Sequence, residues 1–174
     1  MTTTTVAPLP LTVAAFAPYG QILAAWGTGR SANNGRAQRF EELAELEHQG
    51  NAQQPVLDLY RVQPSLLPLT IDCLECHPLS SQAFIPMGVG CYLVVVALPG
   101  ADGEPDPGTL QVFRADFHQG INYRPGVWHF PIAALDGGGD FAMFMWRAPA
   151  AEDCRIATLS QPIVVAEADE QAQD

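Results

Sequence analysis

The sequence predicts a mainly β protein, an antiparallel barrel or sandwich with a few short helices, folded as one domain over residues 1–165. Short runs rich in β-branched and aromatic residues recur along the chain. Turn formers separate them, with 15 glycines and 15 prolines in 174 residues. Nearly half of the residues, 48%, are apolar, enough to fill a sizeable core in a chain of this length.

The elements follow in order. Thr12 has the character of an N-cap for a short helix over residues 13–17, which Pro18 and Gly20 stop. Strands are expected at 21–26, 56–62, 71–77, 91–98, 109–114, 127–132, 141–147 and 163–165. Between the first two, residues 38–47 read as a second short, charged helix or turn. Residues 101–108 read as a solvated loop and 136–140, Asp-Gly-Gly-Gly-Asp, as a hairpin turn. The end, 166–174, is acidic and without aromatics, and is expected to be a frayed tail.

A formal charge of −11 leaves no basic face to neutralise phosphates, which argues against nucleic acid and anionic membrane as partners and for a small molecule. The chain has no lysine, so Schiff-base catalysis and a lysine-anchored pyridoxal cofactor are excluded. The first residues lack the basic-then-apolar pattern of a signal peptide, and the longest apolar run, 91–98, is too short to span a bilayer. A soluble, cytoplasmic protein is expected, with its four cysteines reduced. Cys73 and Cys76 have a CxxC spacing, but a single pair is a weak signal, and residues three apart in a strand face opposite ways.

Two segments hold the polar chemistry, 75–86 (Glu-Cys-His-Pro-Leu-Ser-Ser-Gln-Ala-Phe-Ile-Pro) and 119–131 (Gln-Gly-Ile-Asn-Tyr-Arg-Pro-Gly-Val-Trp-His-Phe-Pro). In a strand, Cys73, Glu75 and His77 share one face, and Leu74 and Cys76 the other. Glu75-x-His77, then Gln82, then His129 after a Pro-Gly turn, is similar to the two-part metal pattern of cupin barrels. There the usual set is three histidines and a carboxylate. Glu75, His77 and His129 are the candidate metal ligands, and the neutral Gln82 amide makes the expected site weak.

Further motifs extend the likeness. His77-Pro-Leu-Ser-Ser-Gln82-Ala-Phe-Ile-Pro86, Tyr92-Leu-Val-Val-Val-Ala97 and Gly120-Ile-Asn122-Tyr123-x-x-Gly126-Val-Trp128-His129-x-Pro131 together resemble the ureidoglycolate lyase family, formerly called ureidoglycolate hydrolase. The opening runs Leu11-Thr-x-x-Ala15-Phe-Ala-Pro18-Tyr-Gly20 and Asn33-Asn34-Gly35-Arg36-Ala37-Gln38-Arg39-Phe40 match as well. The resemblance implies a cupin-like β-barrel, a homodimer, and cleavage of (S)-ureidoglycolate to glyoxylate and urea in purine and allantoin breakdown. It implies divalent nickel as cofactor and no organic one.

The chain departs from the bacterial pattern at four places. Cys76 stands where that pattern has Arg, Ser80 where it has Gly, and Phe130 where it often has a second His. An Asp-Arg pair is replaced within Phe141-Ala-Met-Phe-Met145-Trp146-Arg147. Arg147 is one residue out of step, and is expected to stand in for the missing guanidinium only if its strand carries a bulge.

The implied substrate is a carbinol-urea. Removing its hydroxyl proton lets the carbonyl form as urea departs, and the leaving nitrogen needs a proton. His129 or His77 has the right acidity for that transfer, and Glu75 can orient a histidine or act as base. Tyr123 can donate to the leaving urea. Gln82 and Asn122 match the donor and acceptor edges of urea, and Arg39 or Arg124 can pair with the carboxylate. Trp128 reads as a core anchor or a substrate contact. Two alternatives stay open: a metal-dependent cupin enzyme acting on another small carboxylic acid, and a non-catalytic small-molecule-binding cupin.

Overall fold

The computed structural model describes residues 4–167. The strands are β1 (Thr4–Val6), β2 (Leu9–Pro10), β3 (Gly20–Leu23), β4 (Arg30–Ala32), β5 (Ala37–Arg39), β6 (Gln54–Val62), β7 (Leu69–Cys76) and β8 (Gln82–Met87). They continue with β9 (Cys91–Ala97), β10 (Gln111–Asp116), β11 (Gly120–Tyr123), β12 (Trp128–His129), β13 (Ala133–Ala134), β14 (Gly139–Arg147) and β15 (Arg155–Val165). Two one-turn α-helices, α1 (Val13–Phe16) and α2 (Ala150–Asp153), and two 3-10 turns at Asn33–Gly35 and Pro107–Thr109 complete the set among the described residues. The side chain of Thr12 accepts from the Ala15 amide and caps α1.

The mainly β, antiparallel expectation holds. Strands order as β1-β15-β7-β12-β9-β10-β2 in a larger sheet, with β13 also pairing β9, and as β3-β11-β8-β14-β6 in a smaller one. Pairing is antiparallel except for β1 with β15 and β2 with β10. The apolar run of β9 is buried on both faces, which explains why it lacks alternation. Tyr92, Val94 and Val96 enter the core between the sheets with Phe16, Phe113 and Phe141. Leu93, Val95 and Ala97 join a second cluster with Leu74, Cys76 and Trp128 on the larger sheet's other face. Each fully buried aliphatic side chain contributes about 1.5–3 kcal/mol.

Three local expectations are corrected. Residues 38–47 form no helix: β5 pairs with β4 in a small ribbon, and the chain then runs as an irregular strap across the smaller sheet. The strap is held through its own carbonyls, Glu45 accepting from the Asn122 amide, Leu46 from the Trp146 indole and Glu47 from the Ser81 backbone. Residues 136–140 make no hairpin, because β13 pairs in the larger sheet and β14 in the smaller, so this glycine run crosses between layers. Of 127–132 only Trp128 and His129 enter a ladder, since Pro131 has no amide to give. The frayed-tail expectation falls mostly on 168–174, outside the described residues. Among the described residues no helix is long and apolar enough to cross a membrane.

Candidate active site

Both sheets contribute to one inward-facing cluster. In the larger sheet His129 lies directly opposite Glu75, so their side chains point the same way, and His77 follows just beyond β7. In the smaller sheet Tyr123 lies opposite Gln82, which in turn lies opposite Met145. Gly20 lets β3 close on β11, because a Cβ there would run into the carbonyl oxygen of Asn122. Gly126 takes φ +82° in the turn that brings the chain back to β12.

Two backbone carbonyls set the chemistry of the imidazoles. His77 Nδ1 lies 2.7 Å from the Asp153 carbonyl and His129 Nδ1 lies 3.0 Å from that of Val127. A carbonyl only accepts, so each ring carries its proton on Nδ1 and turns the lone pair of Nε2 into the cluster. One ligand atom each from Glu75, His77 and His129 lie within 4.8 Å of one another. Glu75 Oε1 is 3.4 Å from His129 Nε2, an ion-pair distance longer than a well-made hydrogen bond, and that buried nitrogen has no hydrogen-bond partner among the described residues. Two imidazole nitrogens and a carboxylate suit a divalent transition metal. Gln82 Nε2 approaches His77 Nε2 at 3.5 Å, and its Oε1 is buried without a partner.

The electrostatics keep these groups in working states. Once His129 takes a second proton, donation from its Nε2 holds the Glu75 carboxyl below its usual range, against the opposing effect of burial. Burial pushes the His77 imidazole below its ordinary value, and a charge on His129 adds to it. Tyr123 is fully enclosed, so its phenol is raised well above 10 and stays protonated. Its ring stacks on His129 with centroids 4.2 Å apart, and its hydroxyl has no partner among the described residues.

A family model described as ureidoglycolate lyase matches residues 3–166. The chain belongs to the ureidoglycolate lyase family. The ureidoglycolate lyase of Burkholderia mallei (strain NCTC 10229) is 41% identical over 133 residues, 76% of each chain. That of Azotobacter vinelandii (strain DJ / ATCC BAA-1303) is 37% identical over 146 residues, 83% of this chain and 86% of the relative. Among solved structures, a dTDP sugar isomerase from Desulfovibrio desulfuricans G20 matches with a TM-score of 0.45 at 15% identity, over 83% of this chain and 87% of that one, a distant likeness only.

Four residues expected to bind substrate lie elsewhere in this ureidoglycolate lyase family member. Asn122 and Arg124 flank Tyr123, so strand alternation turns them to the outer side. Asn122 there bonds Gln21 and the strap carbonyl of Glu45, and Arg124 lies exposed beside Glu47 and His48. Trp128 is turned outward for the same reason. Its indole donates to the Gly103 carbonyl at 3.2 Å, and the Arg155 guanidinium lies 5.4 Å from its ring centroid. Arg39 is on the β4–β5 ribbon, paired with Glu41 at 3.1 Å.

The departures from the family pattern sort by face. Cys76 and Phe130 pack in the outer cluster, away from the cluster of polar groups. Ser80 Oγ accepts from the Trp146 amide at 2.8 Å, so two departures meet in one hydrogen bond. The ladder of β14 runs against β6 without a register shift, and alternation still turns Arg147 inward, two residues beyond Met145. The sequence reading also passed over Asp153. Its carbonyl fixes His77, and its carboxylate accepts from the Leu79 amide at 2.7 Å. A carbonyl partner leaves no signature in residue type.

Proposed function

We propose that this chain splits (S)-ureidoglycolate into glyoxylate and urea, and so serves purine and allantoin breakdown. What carries the reading is the convergence of two open Nε2 lone pairs, the Glu75 carboxylate, the Gln82 amide and the unpartnered Tyr123 hydroxyl on one inward face. His129 Nε2 takes the proton from the substrate hydroxyl, and Glu75 stabilises the imidazolium that forms. The C–O bond becomes the carbonyl of glyoxylate and the C–N bond breaks. The leaving urea nitrogen takes up the proton held by the His129 imidazolium, which restores the neutral ring, while the Tyr123 hydroxyl donates a hydrogen bond to the leaving group and Gln82 reads the amide edge of the urea.

Glu75, His77 and His129 are the residues that would hold a divalent ion, with nickel the ion implied by the family resemblance. When bound, it would supply the polarisation of the hydroxyl that otherwise falls to His129. With one neutral amide beside three ligands, the ion is held weakly and no organic cofactor is needed. The acidic charge and the small polar cluster support a small-molecule partner rather than nucleic acid or membrane, in a cytoplasmic homodimer. The outer face of the smaller sheet supports the dimer, since Leu57, Leu59, Ile85 and Met87 all lie exposed there.

The test is release of urea and glyoxylate from (S)-ureidoglycolate by metal-stripped and nickel-restored protein. Equal formation of both products above the spontaneous rate is expected. Decay at the spontaneous rate in both forms would sink the proposal and leave a binder or an enzyme for another acid.

A further inference from the structure

We propose that Arg147 binds the carboxylate of the substrate, its side chain laid over the cluster by Asp58. The inference rests on the ureidoglycolate reading for the identity of the anion, and on the ladder geometry for the residue. In the β14–β6 ladder Arg147 lies opposite Gln54, whereas Asp58 lies opposite Met143. Those rungs are four residues apart, about 13 Å along the strand. Yet Arg147 Nη2 and Asp58 Oδ2 are 3.2 Å apart. The arginine therefore folds back along the inward face and crosses the rung of Met145 and Val56. That rung is continuous with Gln82, whose amide is 3.5 Å from His77 Nε2. The guanidinium is thus drawn along the inward face, with its side chain 53% exposed to solvent.

An anionic substrate approaching Glu75 in an acidic protein needs a positive group, and the other seven arginines are placed elsewhere. Arg30, Arg36 and Arg39 lie on or beside the β4–β5 ribbon. Arg61 and Arg124 face outward from the smaller sheet. Arg114 and Arg155 are on the outer face of the larger one, paired with Glu167 and Glu104. Arg147 spends one nitrogen on Asp58, and its remaining donors can meet a carboxylate in the forked geometry guanidinium favours. The pair is half exposed, so water screens it and Asp58 positions the arm without locking it. Tyr60 lies one inward position beyond Asp58, opposite Phe141. Its phenol is raised by burial and then by Glu75 and Asp58, while Arg147 opposes them.

Calorimetric titration with glyoxylate, the carboxylate-bearing product, tests this on wild type, Arg147→Ala and Arg147→Lys. Glyoxylate affinity should fall about tenfold or more in Arg147→Ala and recover in part in Arg147→Lys, which keeps the charge without the fork. In turnover the loss should appear in KM, with kcat within a few-fold. Equal glyoxylate affinity in wild type and Arg147→Ala overturns the assignment, as does a wild type that binds no glyoxylate. A wild type that binds glyoxylate through Arg147 but leaves ureidoglycolate intact would uphold the anion site and remove only the activity.

Discussion

Tyr123 and His129 lie face to face, their ring planes 10° apart, although they come from different sheets. The stack couples the buried donor to the open imidazole. Tyr123→Phe keeps the stacked ring and removes only the unpartnered hydroxyl. It should leave the thermal midpoint nearly unchanged and lower kcat about a hundredfold, the range of a lost hydrogen-bond donor to the transition state. Because the phenol stays protonated to well above 10, any alkaline limb of the wild-type pH–rate profile should persist in the variant. Loss of that limb would show Tyr123 to be the titrating group.

His129→Ala should reduce turnover by roughly two or more orders of magnitude, as expected when a general base is removed. Circular dichroism would show the fold retained. A folded variant with a near-normal rate would reassign His129 to structure.

Metal should stimulate the reaction without being strictly required. One nickel ion per chain is expected to bind by calorimetry, to be lost on chelator dialysis, and to bind at least tenfold more weakly to Glu75→Gln, which removes the anionic ligand. An ion that survives dialysis, with complete inactivity once it is removed, would refute the weak site.

The His77 ring is held below its ordinary value of about 6.5, so in metal-free protein it stays neutral into mildly acidic solution. The unfolded chain takes up that proton first. Stability from His77 is therefore present above about pH 6.5 and is lost as pH falls toward the lower folded value. Denaturant midpoints should drop across that window in wild type, and less in His77→Gln. Equal slopes in both would contradict the assignment.

Sedimentation should give about twice the chain mass. Leu59→Glu, on the exposed outer row beside Leu57 and Ile85, should shift it to monomer. An unchanged dimer would move the interface elsewhere.

Much of the fold was legible because the longer strands, such as β7, β9 and β14, announce themselves by branched and aromatic residues. Others did not. β2 and β13 have two residues each, too few for a period, β8 begins Gln-Ala and contains Pro86, and of β15 only 163–165 was expected, because Ser160, Gln161 and Pro162 interrupt its apolar run. Glycine turn chemistry at 136–140 is the same whether the flanking strands pair or part. In the cluster, Glu75, His77, Gln82, Tyr123 and His129 were all named, but so were Asn122, Arg124 and Trp128. Alternation already forbade that: with Tyr123 and His129 facing inward, their strand neighbours must face outward. The same rule applied to β14 turns Arg147 inward without any bulge. Arg39 was undecidable, since nothing in its local sequence says where a two-stranded ribbon will lie.

The strap over the smaller sheet is gripped by three successive carbonyls, at Glu45, Leu46 and Glu47, and every residue type offers a carbonyl. Its own side chains are therefore free to drift, and the sequence requirement passes to the residues that do the gripping. Trp146 answers to two partners at once, its indole to Leu46 and its amide to the Ser80 hydroxyl. A glycine at 80 would strip that hydroxyl from the Trp146 amide, so substitutions at these two positions are best exchanged as a pair when variants are built or relatives are grafted onto this scaffold.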